Sequence, residues 1–385
     1  MTPSARVQAA VEVLDAVIAS AREDGPAADA IVSDYFRSRR YAGSKDRRAV
    51  RELVFQAIRH SAEVPASGRA AMLAVAPELF DGSPHGPAPR GDGEKAAAAG
   101  VVPAWLTGEL SPVVGAEEWA ALVERAPLDL RVNVARTSRD AVLPLFEGAE
   151  PTPLSPWGLR LPADSRVTEH PAFAEGLVEV QDEGSQLIAL ACAPSGGQRI
   201  VDLCAGAGGK ALALAAAAPE AEIIACDTNL QRLSRLAPRA ERAGAIIATR
   251  LLDAPREAEA LRDLEGRCDL VLVDAPCSGS GTWRRNPEGR WRLTPERLER
   301  LLALQGRVLD LAAPLVKPGG RLVYAVCSLL AREGDEQAAA FLSRHSSFRP
   351  QETGLAAGRS DGVGRLLTPG HDRTDGFFIA GFAAT

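Results

Sequence analysis

Two cysteines and one aspartate stand where apolar runs of this chain break off: Asp274 and Cys277 in DAPCSGSGTWRRNP (274–287), and Cys327 in YAVCS (324–328). A thiolate is a strong nucleophile, and a carboxyl group within reach holds or releases a proton, so the trio suits covalent catalysis on an electron-poor centre. Upstream, CAGAGGK (204–210) follows another apolar run and opens onto an alanine-rich helical segment. Its glycines bring backbone N–H groups close to a ligand at a helix N-terminus, which is a nucleotide-type site. Gly206, Gly208 and Ala211 also fit the dinucleotide pattern G-x-G-x-x-G/A, with Asp227 about 20 residues on. On that loop alone an NAD oxidoreductase is a rival reading, and Asp227 accepts ribose hydroxyls in either case. Asp253 is placed either to receive an adenine amino group or to cap the helix after Ala254 and Pro255.

The elements that must position these residues follow a regular beat. Strand candidates end near Leu203, Cys226, Leu252, Val273 and Val326, and the first four endings are 23, 26 and 21 residues apart. That is the rhythm of βα units in a parallel sheet, whose ligands bind at the C-terminal strand ends. The run LVLV (270–273) is continuously apolar, as a strand covered on both faces should be. A 53-residue gap before Val326 holds an insertion and a long helix over roughly 294–313. A dehydrogenase has no need of two cysteines and a carboxylate at neighbouring strand ends.

The first part of the chain reads differently. Val7, Val11, Leu14 and Ile18 recur at helical spacing, and Val50, Leu53, Val54, Ala57 and Ile58 repeat the pattern after a Ser44 cap. Residues 37–59 hold eight basic against two acidic side chains, although the chain of 385 residues carries a net charge of −6. Arg47, Arg48, Arg51 and Arg59 flank the apolar stripe there, either as a solvated helix face or as a footprint for RNA phosphates. DGSPHGPAPRGDG (81–93) is a loop by its glycine and proline content. Helical character resumes near Glu94 and again after Pro103, and LDLRVNV (128–134) begins a stretch of short strands that runs to about residue 180. No apolar run reaches the roughly 18 residues of a membrane span, and no export signal is visible, so the chain reads as cytoplasmic. Six cysteines with no CxxC pair and no histidine at ligand spacing argue against a structural zinc site and a disulfide framework, and no metal is expected.

DAPCSGSGTWRRNP, YAVCS and CAGAGGK together resemble the RsmB-like (Fmu/Sun) family of S-adenosylmethionine-dependent RNA cytosine-5 methyltransferases. LRVNVARTSRD (130–140), VEVQDEGSQL (178–187) and DGFF (375–378) are similar to further family segments, and GSKDRRAVRELVFQAIR (43–59) resembles part of a helical NusB-like RNA-binding domain. The resemblance spans nearly the whole chain. It departs from the family pattern at Gly206-Ala207, where Ala-Pro is usual, at Val326, where Thr is usual, and at Glu333-Gly334-Asp335, where Glu-Asn-Glu is usual. None of these removes a reacting group.

The resemblance implies an α/β fold: a Rossmann-like class I methyltransferase domain with a mostly parallel, doubly wound sheet, preceded by an all-α NusB-like domain. The expected divisions are 1–125 for the helical domain, 126–180 for a small α/β bridging subdomain and 181–385 for the methyltransferase domain. It implies methyl transfer from S-adenosylmethionine to C5 of a cytosine in RNA, with small-subunit ribosomal RNA as the target and a monomer as the working form. The same reaction on transfer RNA, or a non-catalytic RNA-binding assembly factor, are the alternatives. Cytosine C5 is a weak nucleophile until a thiolate adds to C6, so the substrate demands a cysteine. The residues themselves do not say which one, and in DNA cytosine-5 methyltransferases the fourth-strand Pro-Cys attacks. By resemblance Cys327 attacks and Cys277 assists product release, while Asp274 in its acid form acts at the ring N3. The cofactor contacts carried over are Cys204, Ala205, Gly206, Ala207, Gly208, Gly209, Lys210, Asp227, Arg232, Asp253 and Asp274. Arg284 and Arg285, after the Gly-Ser-Gly turn, are expected to clamp RNA phosphates or to pair with Glu288 or Glu296. Trp283 and Trp291 are placed for base stacking or for the core. Cys192, Cys226 and Cys268 read as structural.

Overall fold

Apolar residues recurring every three or four positions build four helices at the start of the chain: α1 (Pro3–Arg22), α2 (Ala28–Arg37), α3 (Ser44–His60) and α4 (Gly68–Val75). Thr2 caps α1, its Oγ1 accepting the Ala5 N–H at 3.2 Å, and Pro3 occupies the first turn, where a missing donor costs nothing. Val7, Val13, Leu14 and Val17 of α1 are fully buried against Val50, Val54 and Ile58 of α3 and Met72 of α4. Each such side chain contributes about 1.5–3 kcal/mol on leaving water. Ser44 does not cap α3; Gly43 holds that position and Ser44 is the first helical residue.

The computed structural model describes residues 1–23 and 25–385, and the chain divides into two units. One comprises Met1–Leu110, Gly115–Arg125 and Thr282–Pro295; the other comprises Ser111–Val114, Ala126–Gly281 and Glu296–Thr385. Segment 282–295, expected within the sheet domain, therefore folds with the helices. Trp291 is 4% exposed in the helical core, its Nε1 donating to the Ser61 carbonyl at 3.0 Å. Arg290, 2% exposed, donates to the carbonyls of Ile58 at 2.5 Å and Val101 at 2.8 Å. The helix expected near Glu94 is absent. There the Ala97 and Gly100 N–H groups donate to the distant carbonyls of Ala70 and His60, so tertiary partners displace the helical ones that alanine propensity favours. Beyond Pro103 only short 3-10 turns form, at Ala104–Leu106 and Ala116–Leu122.

In the second unit, β1 (Leu128–Val132), β2 (Glu150–Pro151), β3 (Gly158–Leu161) and β4 (Val178–Val180) make a small antiparallel sheet of order β2-β3-β1-β4. Leu130, Val132, Leu159 and Val178 form its own buried core. The main sheet has β5 (Arg199–Asp202), β6 (Glu222–Asp227), β7 (Ala248–Leu251), β8 (Cys268–Asp274) and β9 (Val316–Val326) running parallel in the order β9-β8-β5-β6-β7. β10 (Phe348–Gln351), β11 (Arg359–Asp361), β12 (Gly364–Leu367) and β13 (Phe377–Ala384) extend it, β13 pairing antiparallel with β9. The five predicted strand ends match β5 to β9, and the long helix is Pro295–Ala312. Leu270, Val271, Leu272 and Val273 have no exposed surface, and Leu270 and Leu272 join the core formed with helices Glu183–Ala191 and Gly209–Ala217. The alternate residues face the other side, so β8 is covered on both faces. Between β5 and β8 the direction of strand addition reverses, which opens a crevice at their C-terminal ends. No helix among the described residues is long and apolar enough to cross a membrane.

Candidate active site

The two cysteine motifs leave the sheet at the same level, from the ends of β8 and β9. Asp274 pairs in register with Ala325, so Cys277, three residues past Asp274, and Cys327, two past Ala325, emerge side by side. Their Sγ atoms lie 3.2 Å apart. The sulfurs touch, so a pyrimidine ring does not fit between them, and a base has to meet either sulfur on its outer side. The hydrogen bond to Cys327 and then burial raise the Cys277 thiol pKa well above its ordinary value. The neighbouring sulfur and burial thus favour the protonated form of Cys277, in a contact where either sulfur can be the donor.

Across the crevice Lys210, at the start of helix Gly209–Ala217, reaches from the β5 side to the end of β8. Its Nζ donates to Asp274 Oδ2 at 2.6 Å, with the lysine side chain 12% exposed. Burial alone would lower the Lys210 pKa, but the charge and hydrogen bond of Asp274 outweigh it and hold the ammonium above its usual range. Asp274, expected to act in its acid form at the ring N3, thus lies against an ammonium supplied by the glycine loop. Asp202, at the end of β5, has no exposed surface, and burial followed by the charge of Asp274 pushes its pKa up to about 7. Sequence reasoning passed over Asp202, whose only signal is a carboxyl group closing an apolar strand.

The CAGAGGK loop turns into its helix through Gly208, whose φ of +80° is left-handed and where an added Cβ would overlap the Leu236 side chain. Asp227, 4% exposed, accepts the Gly206 N–H at 2.8 Å and the Asn229 N–H at 2.7 Å. With a long contact from Arg232 as a third donor, one of the roughly four lone-pair sites of that carboxylate stays available. Arg232 is more than half exposed and lies 3.5 Å from Asp227 Oδ1. Leu203, Cys204, Asp227, Leu252, Glu257 and Pro276 line a cleft beside the loop. Asp253 is not among them: it is 68% exposed, pairs with Arg256 at 2.6 Å, and caps no helix, Arg256 being the residue before Glu257–Leu261. Besides Asp227, the cleft has a second carboxylate in Glu257, 2% exposed and bonded to Arg307 at 2.9 Å. Apolar walls for a flat base, a buried carboxylate with an acceptor site to spare, and a glycine loop at a helix N-terminus fit S-adenosylmethionine.

The remaining candidates separate clearly. Burial raises the thiol pKa of Cys192 and Cys204, and that of Cys226 to about 12 and Cys268 to about 11, which leaves these four poor nucleophiles. Trp283, 1% exposed, and Trp291 are core residues rather than stacking platforms. Arg284 is buried at 5% exposure and unsuited to a surface phosphate, whereas Arg285 is half-buried. Arg47, Arg48 and Arg51 are exposed on α3, Arg51 pairing with Asp29 at 2.7 Å.

The family described as 16S rRNA methyltransferase RsmB/F matches residues 189–383. The ribosomal RNA small subunit methyltransferase B of Salmonella typhi is 38% identical over 286 residues, 72% of this chain and 65% of that relative, so the chain spans less than two thirds of the curated relatives it matches. The crystal structure of PH0851, 22% identical, superposes with a TM-score of 0.75 over 99% of both chains and shares the fold. A methyltransferase homolog protein from Pyrococcus horikoshii, 26% identical, gives a TM-score of 0.59 over 69% of this chain and 89% of that one.

Proposed function

We propose, because the chain belongs to the 16S rRNA methyltransferase RsmB/F family, that it transfers a methyl group from S-adenosylmethionine to C5 of a cytosine in RNA, its target being small-subunit ribosomal RNA. The observation that carries the reading is the contact of the Cys277 and Cys327 sulfurs at adjacent strand ends, beside the Lys210–Asp274 pair. The methyl donor supplies an electrophilic carbon, and the chain's residues do the rest. The Cys327 thiolate, stabilised by the proton that Cys277 holds, adds to C6 and makes C5 an enamine carbon. Lys210 offers donors and Asp274 an acceptor, the complement of the cytosine N3 and its exocyclic amino group, and donation to N3 makes C6 more electrophilic. After transfer, loss of the C5 proton lets the C6–S bond break, with Cys277 assisting release. Asp227 and the 204–210 loop hold the cofactor, with Glu257 at the same cleft where Asp253 was expected. The exposed arginines of α3 grip RNA phosphates. The enzyme works in the cytoplasm as a monomer.

Bisulfite sequencing of ribosomal RNA with and without the gene tests the reading, and one lost 5-methylcytosine identifies the target. Cys327→Ala should abolish methylation and every covalent protein–RNA adduct, while Cys277→Ala should let that adduct accumulate. Adducts that survive loss of Cys327 would reverse the two roles, and unchanged methylation in both variants would end the two-cysteine account.

A further inference from the structure

Glu333 has no exposed surface and sits on the turn that follows β9. Its Oε1 accepts the Ser278 N–H at 2.8 Å and the Gln305 Nε2 at 2.9 Å. Its Oε2 accepts the hydroxyls of Ser278 at 2.5 Å and Ser328 at 2.6 Å. Four donors converge on it, which matches the roughly four lone-pair sites of a carboxylate. Burying such a group costs several kcal/mol unless hydrogen bonds replace its water, and these four donors do so. Ser278 directly follows Cys277, and Ser328 directly follows Cys327. Gln305, from helix Pro295–Ala312, uses the same Nε2 to hold the Pro276 carbonyl at 3.0 Å, just before Cys277. On the far side, the Tyr324 hydroxyl donates to the Glu333 carbonyl at 2.7 Å and fixes the turn against β9.

We propose that Glu333 is a positioning residue that sets the approach of the Cys277 and Cys327 sulfurs by joining the serines that follow them, a role that rests on the two-cysteine reading above. The loops also meet through the Ser280 hydroxyl and through the Gly281 N–H on the Cys327 carbonyl, but they share no other carboxylate among the described contacts, so Glu333 is the one charged anchor of both. Its charge has a second effect. After the hydrogen bond to Cys327, burial and the charge of Cys327, the negative charge of Glu333 further raises the Cys277 pKa. One group thus fixes where the two sulfurs meet and favours the proton staying on Cys277.

The test uses the full chain and three readouts. Diamide oxidises the two thiols, forming the Sγ–Sγ bond and taking up two electrons and two protons; peptide mapping measures the rate. Glu333→Gln places an amide donor against donors, so it should slow this bond by about tenfold or more and lower kcat comparably, as expected when reacting atoms are misplaced. KM for S-adenosylmethionine should stay within about twofold, which also shows that the variant folds. Cys277 alkylation should move to lower pH in Glu333→Gln, because a charge that disfavours the thiolate is gone. Glu333→Asp, which keeps the charge but not the reach, should restore that pH midpoint without restoring the oxidation rate. Oxidation and turnover of Glu333→Gln at the wild-type rates would overturn the proposal. Should Glu333→Gln fail to bind the cofactor, Ser328→Ala removes a single donor and carries the same comparison, equal oxidation rates again overturning it. A wild-type protein that methylates no RNA refutes the two-cysteine reading instead, while the oxidation rates still decide what Glu333 positions.

Discussion

Asp202 shows how a buried group writes itself into the pH response of the molecule. Burial, then the charge of Asp274, puts its folded pKa at about 7, whereas the unfolded chain ionises the same carboxyl near pH ~4. Between those values the folded protein keeps a proton that the unfolded chain has lost, so stability falls as pH rises through the window and levels off above it. Asp202→Asn removes the titration, and thermal midpoints measured from acid to neutral pH should lose that decline, a difference approaching about 4 kcal/mol. At this scale the chain discloses its chemistry unevenly. Cys277, Cys327 and Asp274 are visible because each stands just past an apolar run. The partners that tune them are not: Lys210 meets Asp274 across 64 positions, and Glu333 meets Ser278 across 55. Asp253 misled because its place after β7 suited an adenine, while a neighbouring arginine draws it outward.

Among the elements, the turn from β5 into helix Gly209–Ala217 is the one whose backbone admits least change. Gly208→Ala would place a side chain in left-handed backbone and against Leu236, and should cost about 1–3 kcal/mol in urea denaturation. The displaced loop should also weaken S-adenosylmethionine binding, which calorimetry measures. The parallel strands were legible because each is a buried apolar run at βα spacing. The outer strands β11 and β12 were not, having three and four residues, too short for alternation to register. The alanines after Glu94 misled in the opposite sense, their propensity yielding to carbonyls that lie far away in sequence.

For the molecule as a whole, the boundary at residue 125 is only part of the division between its units. Thr282–Pro295 leaves the sheet unit just after the Cys277 loop, supplies Arg290 and Trp291 to the helical interior, and returns as the long helix. Nothing in its composition announces this: Arg290 reads as a surface charge until four backbone carbonyls are found around it. A fragment of residues 1–125 should therefore lack the sharp thermal transition of the intact chain, and Trp291→Ala in the full chain should cost about 3–5 kcal/mol by denaturant titration. The consequence reaches past the test tube. A gene that acquires the helical half through one crossover obtains only part of it, because the tryptophan at its centre is encoded more than a hundred codons downstream, inside the partner's reading frame. Exchange of this half between lineages requires two separated stretches of coding sequence to travel together, which ties the inheritance of the helical half to that of the sheet half.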